Sequence, residues 1–339
     1  MWRFTTQAQV SAWVAGDVTI HTCPAPRLVS AAASSSTSVA LTFSRSISAT
    51  SVQTNGSQFT FDNGLTASAA SVAGKIVTVT TSAQAAQSYT VTAANTVTDA
   101  RGTPVASPGT ATFAGFVPRA VLRINEFNAN VTTNACDLVE FRVVSAGSVG
   151  GFKFQERADT IFTFPAVTVA ANDIIVLHIN GGNATCNGGG STNELTGVAQ
   201  FPSATFNRNY DTAWDFFSTD TGLTNTDNTF TLLDPNYVIV DVVLSTDDPT
   251  GMAAAGSETA AALAAAASQW QQVGGGIPSG GFVDDAFNAN ATLDLNATGT
   301  TAAGDSIRRI DNTDDNDKDD WAQGASTFGL INVGQMPFP

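Results

Sequence analysis

Residues 39–44 read Val39-Ala40-Leu41-Thr42-Phe43-Ser44, large apolar side chains alternating with small or polar ones. A period of two sends Val39, Leu41 and Phe43 to one face of an extended chain and the others to the opposite face, the pattern of a half-buried β-strand. The alternation recurs further along. Phe59 and Phe61 bracket Thr60, Val77 and Val79 alternate with Thr78 and Thr80, and Tyr89 and Val91 with Thr90 and Thr92. Turn formers separate these runs: Asn55-Gly56, Asp62-Asn63-Gly64, Ala73-Gly74 and Arg101-Gly102-Thr103-Pro104. Short alternating strands with such punctuation predict a small β-sandwich over residues 25–117.

From Ala120 the pattern loosens but stays extended. Leu122 and Ile124 share a face, as do Val139, Phe141 and Val143, with Glu140 and Arg142 on the opposite side. The nearly continuous run Ile174-Ile175-Val176-Leu177-His178-Ile179 predicts a strand buried on both faces. Phe230 and Leu232 alternate, then Val238, Val240, Val242 and Leu244. Residues 118–339 are therefore expected to form a second sandwich with long Asn/Gly-rich loops (180–228) and one inserted Ala-rich helix. Ser257 is placed to cap that helix, Glu258 sits in its first turn, and Gly274-Gly275-Gly276 is expected to stop it after Trp270 and Val273. Leu263 and Trp270 would share its buried face.

The 339 residues carry 14 Lys+Arg against 29 Asp+Glu, a net charge of −15, and only 13% are charged. Phosphate binding needs clustered cations, so nucleic acid is excluded as a partner, and so is an anionic membrane surface. No run reaches the 18 or more apolar residues of a membrane span, so no membrane insertion is expected. Three cysteines (Cys23, Cys136, Cys186) allow one disulfide. Pairing Cys136 with Cys186 inside the second sandwich would close a loop worth on the order of 3–4 kcal/mol and imply an oxidising compartment; Cys23 is left over.

Motifs of catalysis are sparse. The two histidines are His21 and His178, and the latter is expected to be a satisfied core imidazole. There is no His-Glu-x-x-His and no Gly-x-Ser-x-Gly; Ala146-Gly147-Ser148-Val149-Gly150 lacks the first glycine. None of the three lysines follows a Gly-rich loop, which excludes a P-loop. Glu126 and Glu140 could make a glycosidase-type carboxylate pair, but ion pairing with Arg123 or Arg142 is the expected role. The chain is read as a non-enzyme, with no catalytic residue and no cofactor. Asp315, Asp317 and Asp319 have the Asp-x-Asp-x-Asp spacing that begins many Ca²⁺ loops. The sixth and twelfth positions, Asp320 and Ser326, depart from the EF-hand pattern, so a Ca²⁺ site and a solvated acidic turn both stand. Tyr210, Trp214, Phe216 and Phe217 could form a ligand-stacking surface, or could cap the core.

Residues 25–117 resemble the bacterial Ig-like domains of surface-layer and other exported proteins. Pro26, the strand ending Phe43-Ser44-Arg45-Ser46-Ile47, Tyr89-Thr90-Val91-Thr92, Val97-Thr98-Asp99-Ala100-Arg101-Gly102 and Ala111-Thr112-Phe113 carry the likeness. Residues 1–24, with Trp2-Arg3-Phe4-Thr5-Thr6, resemble the terminal strand of a preceding such domain plus a linker. Residues 118–339 resemble a lamin-tail domain, itself an Ig-like sandwich. Its markers are Ile124-Asn125-Glu126, Asp137-Leu138-Val139-Glu140-Phe141, Phe164-Pro165, and Thr231-Leu232-Leu233-Asp234 with Val240-Asp241. Ser306-Ile307-Arg308-Arg309, Asp320-Trp321 and Gly329-Leu330-Ile331-Asn332 complete them, with Phe328-Gly329 standing where the family has Pro-Gly. The resemblances imply an all-β chain of two Ig-like β-sandwich domains from an exported bacterial protein, located extracellularly or on the cell surface. They imply a non-catalytic spacer and binding or assembly module whose partner is a protein, a carbohydrate or another copy of itself. The alternative is an accessory domain of a secreted nuclease, phosphatase or protease whose catalytic part lies outside this chain.

Overall fold

The computed structural model describes residues 24–128, 137–180, 190–206, 208–224, 227–246, 257–279, 281–282, 291–294 and 305–339. The chain divides into two compact units between Val117 and Pro118. It is nearly all β. Among the described residues no helix is long and apolar enough to cross a membrane.

Among its described residues the first unit has seven strands: β1 (Leu28–Ser35), β2 (Ser38–Phe43), β3 (Phe59–Phe61), β4 (Ala67–Ala73), β5 (Ile76–Thr81), β6 (Ser88–Ala93) and β7 (Thr110–Ala114). They form a four-stranded sheet in the order β1-β2-β5-β4 and a three-stranded sheet β3-β6-β7, all antiparallel. Alternation decides which side chains turn inward: Val39, Leu41, Phe43, Val77, Val79, Tyr89 and Val91 are all buried in one core. The strands after β3 turn on Asn63 (φ +51°) and Gly64 (φ +77°), two successive left-handed residues that Asn-Gly adopts at little cost.

Among its described residues the second unit has thirteen strands. They are β8 (Val121–Asn128), β9 (Leu138–Ser145), β10 (Gly147–Ser148), β11 (Lys153–Glu156), β12 (Asp159–Thr163), β13 (Thr168–Val169) and β14 (Ile174–His178), followed by β15 (Trp214–Phe217), β16 (Asn228–Leu233), β17 (Ile239–Thr246), β18 (Leu293–Asp294), β19 (Asp305–Arg309) and β20 (Trp321–Ala325). A five-stranded sheet, β12-β11-β16-β17-β18, packs against a six-stranded one, β15-β14-β9-β8-β19-β20. Phenylalanines fill the interior: Phe141 meets Phe154 edge-on at 5.3 Å between ring centroids, and Phe154 stacks on Phe230 at 5.8 Å. Burying each such ring contributes roughly 1.5–3 kcal/mol, and the edge-to-face geometry suits the ring quadrupoles.

The six-stranded sheet is covered on both faces. Val139, Phe141, Ile175 and Leu177 face the main core, while Ile174 and Val176 join Ala213 and Phe328 in a second apolar cluster on the other side. This is the two-sided burial expected of the Ile174–Ile179 run. Glu140 and Arg142 do lie opposite the core, yet they are buried too, because the C-terminal segment crosses over them.

Two expectations are corrected. The helix, α1, spans Ser257–Ala266 and stops well short of Trp270. Ser268 turns left-handed (φ +58°), and Trp270 is buried beyond the helix end with its Nε1 donating to the Ala291 carbonyl (2.8 Å). Leu263 is 59% exposed. The buried face consists of Ser257, Ala260, Ala261 and Ala264, whose short side chains let the helix lie close on the sheet. On β17 the outward face is apolar as well. Phe230 sits opposite Val243 and Thr231 opposite Val242, and directly opposed residues share a face. Val242 therefore belongs to the outer face, which α1 covers, and both faces of the strand are apolar.

Candidate binding groove

The polar residues of the sequence motifs gather inside the second unit. Arg309 on β19 is buried, and its Nη2 donates to both oxygens of Asp241 on β17 (2.9 and 3.1 Å). Its Nη1 donates to Asp314 (3.0 Å) and its Nε to the Ile124 carbonyl (2.8 Å). Trp321 stacks against the guanidinium, whose carbon lies 4.6 Å from the ring centroid. Asp241 also accepts from the Ile124 amide (2.7 Å), so one carboxylate ties β17 to β8 and β19. Arg309 reaches several acceptors at once because its donors form a planar fork.

Glu126 and Glu140 face each other across β8 and β9. Ile124 and Phe127 both point into the core although they are three residues apart, which a bulge between Ile124 and Glu126 permits. Glu126 accepts from the Ser306 hydroxyl (2.5 Å), the Thr327 amide (2.8 Å) and the Thr327 hydroxyl (2.6 Å). Glu140 accepts from Asn125 Nδ2 (2.7 Å) and the Gly329 amide (2.7 Å). Burial raises the pKa of both, and that of Glu140 is pushed well up, with the Glu126 charge adding to the desolvation. The expected ion pairs with arginine do not form. Arg142 instead donates to Asn312 (3.1 Å), Asn172 (3.2 Å) and the Met336 carbonyl (2.5 Å), and Arg123 donates to Asp314 (3.0 Å). Both oxygens of each glutamate are held by donors from β8, β19 and the C-terminal segment.

His178 is a satisfied core residue. Its Nε2 lies 2.6 Å from Asp215 Oδ1 and its ring stacks on Phe217 at 4.6 Å. Asp215 accepts from the Tyr210 amide (2.8 Å), and its own amide donates to buried Glu194 (3.0 Å). Around this pair the aromatics weighed as a stacking surface or as a cap on the core are packed inward, apart from half-buried Tyr210. β15 joins the six-stranded sheet in parallel with β14, which carries Trp214, Phe216 and Phe217 into buried positions. Trp214 Nε1 donates to Asp173 (2.9 Å), and Phe216 packs on Phe162 and Phe164, each at 5.9 Å. Tyr210 is half-buried, with its ring over Gly329, where a Cβ would lie 2.6 Å from Tyr210 Cδ1.

In the acidic loop, Asp317 accepts from the Asp319 amide (2.9 Å), and Asp320 accepts from the amides of Asp315 and Asp317. The two form a capping box on a short 3₁₀ turn, Lys318–Asp320. The side chains of Asp315 and Asp319 are exposed. Among the described residues no three His, Cys, Asp or Glu side chains are grouped to hold a metal ion. Cys23, Cys136 and Cys186, and the Trp2–Thr6 segment, lie outside the described residues.

The solvent side of the five-stranded sheet offers a different surface. Where α1 leaves β11, β16 and β17 uncovered, a groove of about 500 Å³ opens. Its floor is Gln155, Thr231, Leu233 and Ile239, and α1 contributes Thr259 and Leu263 as one side. Period-two alternation puts Lys153 and Gln155 on this face of β11, and Arg157, in the turn that follows, donates from Nε (3.2 Å) and Nη2 (2.9 Å) to the Asp227 carbonyl. The two turns at the ends of this face hold bulky residues in the left-handed region: Arg157 (φ +56°) and Tyr237 (φ +63°). Each costs on the order of 1–2 kcal/mol relative to a right-handed or extended backbone, a cost glycine would avoid. The Tyr237 turn is pinned by Asp234, which accepts from the amides of Asn236 (2.7 Å) and Val238 (3.0 Å) and pairs with Arg119. The Tyr237 ring is 66% exposed, and the Lys153 ammonium sits 4.1 Å from its centroid. In the sequence Asp234-Pro235-Asn236 signals a turn, but nothing there marks Tyr237 as standing over the sheet.

The fold defines an all-β protein of Ig-like sandwich build. Residues 120–323 match the family model described as the TP_1001 protein second domain, and the chain belongs to that family. Residues 18–115 match the bacterial Ig-like domain family. Among solved structures the chain is similar to the N-terminal part of the bacterial S-layer protein SbsC, with 21% identity, 45% of this chain and 40% of that one covered, and a TM-score of 0.27. It is also similar to domains 1–6 of the surface layer protein SbsC, with 13% identity, 66% and 41% covered, and a TM-score of 0.25. The chain spans about two fifths of the length of those structures. No curated protein matches it.

Proposed function

We propose that this chain is a non-catalytic module of an exported bacterial protein, in which an Ig-like spacer precedes a sandwich that displays a binding face. The observation that carries this reading is the fate of the acid–base residues. Glu126, Glu140, His178 and Asp215 are buried and held by structural hydrogen bonds, whereas the groove leaves side chains such as those of Tyr237 and Leu263 accessible. The match of residues 18–115 to the bacterial Ig-like family supports an exported, surface-associated setting. A lamin-tail-like assignment of the second unit is supported by the convergence of its markers Asn125, Glu126, Glu140, Asp241, Arg309 and Trp321 on one buried network. A Cys136–Cys186 disulfide belongs to this reading and is tested by peptide mapping before and after reduction.

The purified chain, assayed on nuclease, phosphatase, protease and glycosidase substrates with and without divalent metals, is expected to give no turnover. A tag on the chain is expected to be reached by antibody on intact producing cells. Turnover that Glu126→Gln or His178→Ala abolishes would overturn the proposal.

A further inference from the structure

We propose that residues 327–338 form a proton-held cover on the outer face of the six-stranded sheet, locked down by a hydrogen on Glu126 Oε2 and released as the pH rises. The hydrogen-bond count at Thr327 decides where that hydrogen lies. The Thr327 hydroxyl is 2.6 Å from Glu126 Oε2 and 2.8 Å from Asn332 Oδ1, and it has a single hydrogen to give. Asn332 cannot be turned round to help, because its Nδ2 donates to the carbonyls of Asn125 (3.0 Å) and Arg309 (3.2 Å). With Glu126 ionised, Thr327 serves either the carboxylate or Asn332 Oδ1, and the other buried oxygen faces the hydroxyl with no hydrogen between them. With Oε2 protonated, Glu126 donates to Thr327, Thr327 donates to Asn332, and every contact is made. Glu126 Oε1 meanwhile accepts from the Ser306 hydroxyl (2.5 Å) and the Thr327 amide (2.8 Å).

The segment is joined to the sheet in a way that lets it come away as a unit. Among the described residues its backbone–backbone hydrogen bonds are local, from Leu330 to Thr327 (2.9 Å) and from Gln335 to Asn332 (3.0 Å), so no ladder ties it to a strand. Side chains hold it instead. Glu140 accepts from the Gly329 amide (2.7 Å) and Arg142 donates to the Met336 carbonyl (2.5 Å). Asn172 accepts from the Phe338 amide (2.6 Å) and donates to its carbonyl (3.0 Å). Phe328 closes the apolar cluster of Ile174, Val176 and Ala213. Lifting the segment therefore uncovers this cluster and the two glutamates together, while the strand pairing beneath is untouched.

The pH dependence has one sign. Burial raises the Glu126 pKa, against the hydrogen bonds from Ser306 and Thr327 and the Arg308 charge, which lower it. The ionisable groups facing the pair are Arg308 from β19, Arg142 from β9 and the Tyr210 phenol, beside the mutual charge of Glu126 and Glu140. Residues 327–338 contribute no titratable side chain. Once the segment lifts, water reaches Glu126 and its pKa returns to the ordinary carboxylate range. Opening thus releases a proton at any pH between that range and the raised value, and the opening constant rises by up to about tenfold per pH unit.

Hydrogen–deuterium exchange of the full chain from pH 5 to 8, corrected for the intrinsic rate at each pH, tests this. Residues 327–338 are expected to open more readily than β9 and β14 throughout, with an opening constant that rises about tenfold or more across the interval. Glu126→Gln keeps the shape of the neutral acid, since its amide can donate to Thr327 while its carbonyl accepts from Ser306. That variant is expected to hold the segment closed at pH 8 about tenfold more tightly than the parent does, and to flatten the dependence. The assignment is overturned if the segment exchanges only together with β9, or if its opening is insensitive to pH. It is equally overturned if Glu126→Gln opens the segment at pH 5 or leaves the parent's dependence intact. Carboxyl-carbon NMR reads Glu126 in the unaltered chain: a titration midpoint above the ordinary carboxylate range is expected, and one within that range rejects the bound hydrogen.

Discussion

Glu126 and Glu140 stand directly opposite each other on adjacent antiparallel strands, both inaccessible to solvent. Like charges so placed repel, and neither has an arginine hydrogen-bonded to it. The arrangement holds because burial favours the neutral acid and because Ser306, Thr327, Asn125 and Gly329 direct donors at the oxygens.

This pair makes stability depend on pH with a definite sign. Glu126 and Glu140 have raised folded-state pKa values, and Asp137 is raised to about 6 by burial. The folded state therefore holds protons more tightly than the unfolded chain, and stability rises as pH falls toward the ordinary carboxylate range. Thermal melts from pH 4 to 8 are expected to show the melting temperature falling as pH increases through and above about 6. Glu140→Gln is expected to flatten that slope, and a melting temperature that climbs over the same interval would refute the linkage.

Arg309 and Asp241 form a buried ion pair in the second unit, and Arg309 also lies 3.6 Å from buried Asp320. Arg309→Met leaves the Asp241 charge stranded and is expected to cost about 3–5 kcal/mol in a denaturant titration. In Arg309→Met/Asp241→Leu the Asp241 charge is gone while Asp314 and Asp320 still lack their arginine, so the double variant should be no less stable than the single one. The Ile124 amide loses its acceptor in that variant, which limits the recovery.

Gly329 is held at φ +80° with the Tyr210 ring where a side chain would go. Gly329→Ala meets both backbone strain and a steric clash, and a loss of about 2–3 kcal/mol is expected. Adding Tyr210→Ala removes the clash but not the strain, so comparison with Tyr210→Ala alone should show a smaller penalty for the alanine at 329. Equal penalties in both backgrounds would place the whole effect in the backbone.

In the acidic loop, Asp317 accepts a backbone amide as an N-cap. Asp317→Ala is expected to cost about 1 kcal/mol with or without Ca²⁺, the usual cost of losing such a cap. Calorimetric titration with millimolar Ca²⁺ tests the ion-binding alternative directly. Heat abolished by Asp315→Asn and Asp319→Asn together would assign the loop to a cation instead.

Much of the fold was legible because burial has a period. The alternation at Val39–Phe43 and Ile76–Thr80 fixes which side chains face inward, and the uninterrupted Ile174–Ile179 run required cover on both faces. The pattern misled where an additional layer covers a sheet. Val240, Val242 and Leu244 alternate as if they faced the central core, but α1 makes the outer face of β17 apolar too. Trp214, Phe216 and Phe217 lie in a Gly/Asn-rich stretch yet belong to a sheet strand, since a parallel partner distant in sequence completes β15.

By itself the sequence determined an all-β chain with two runs of sandwich strands, a low and acidic charge, and a set of motif carboxylates and arginines. Those properties are local, or sums over residues, and need no knowledge of who packs against whom. Only the tertiary structure decided what the polar residues do. Arg309 meets Asp241 from 68 positions away, and Thr327 meets Glu126 from 201. Whether a charged side chain is a solvated face, a buried pair or the wall of a groove depends on what the fold lays over it. At β8 and β9 the C-terminal segment closes over the acids, and at β11 nothing among the described residues closes over the groove.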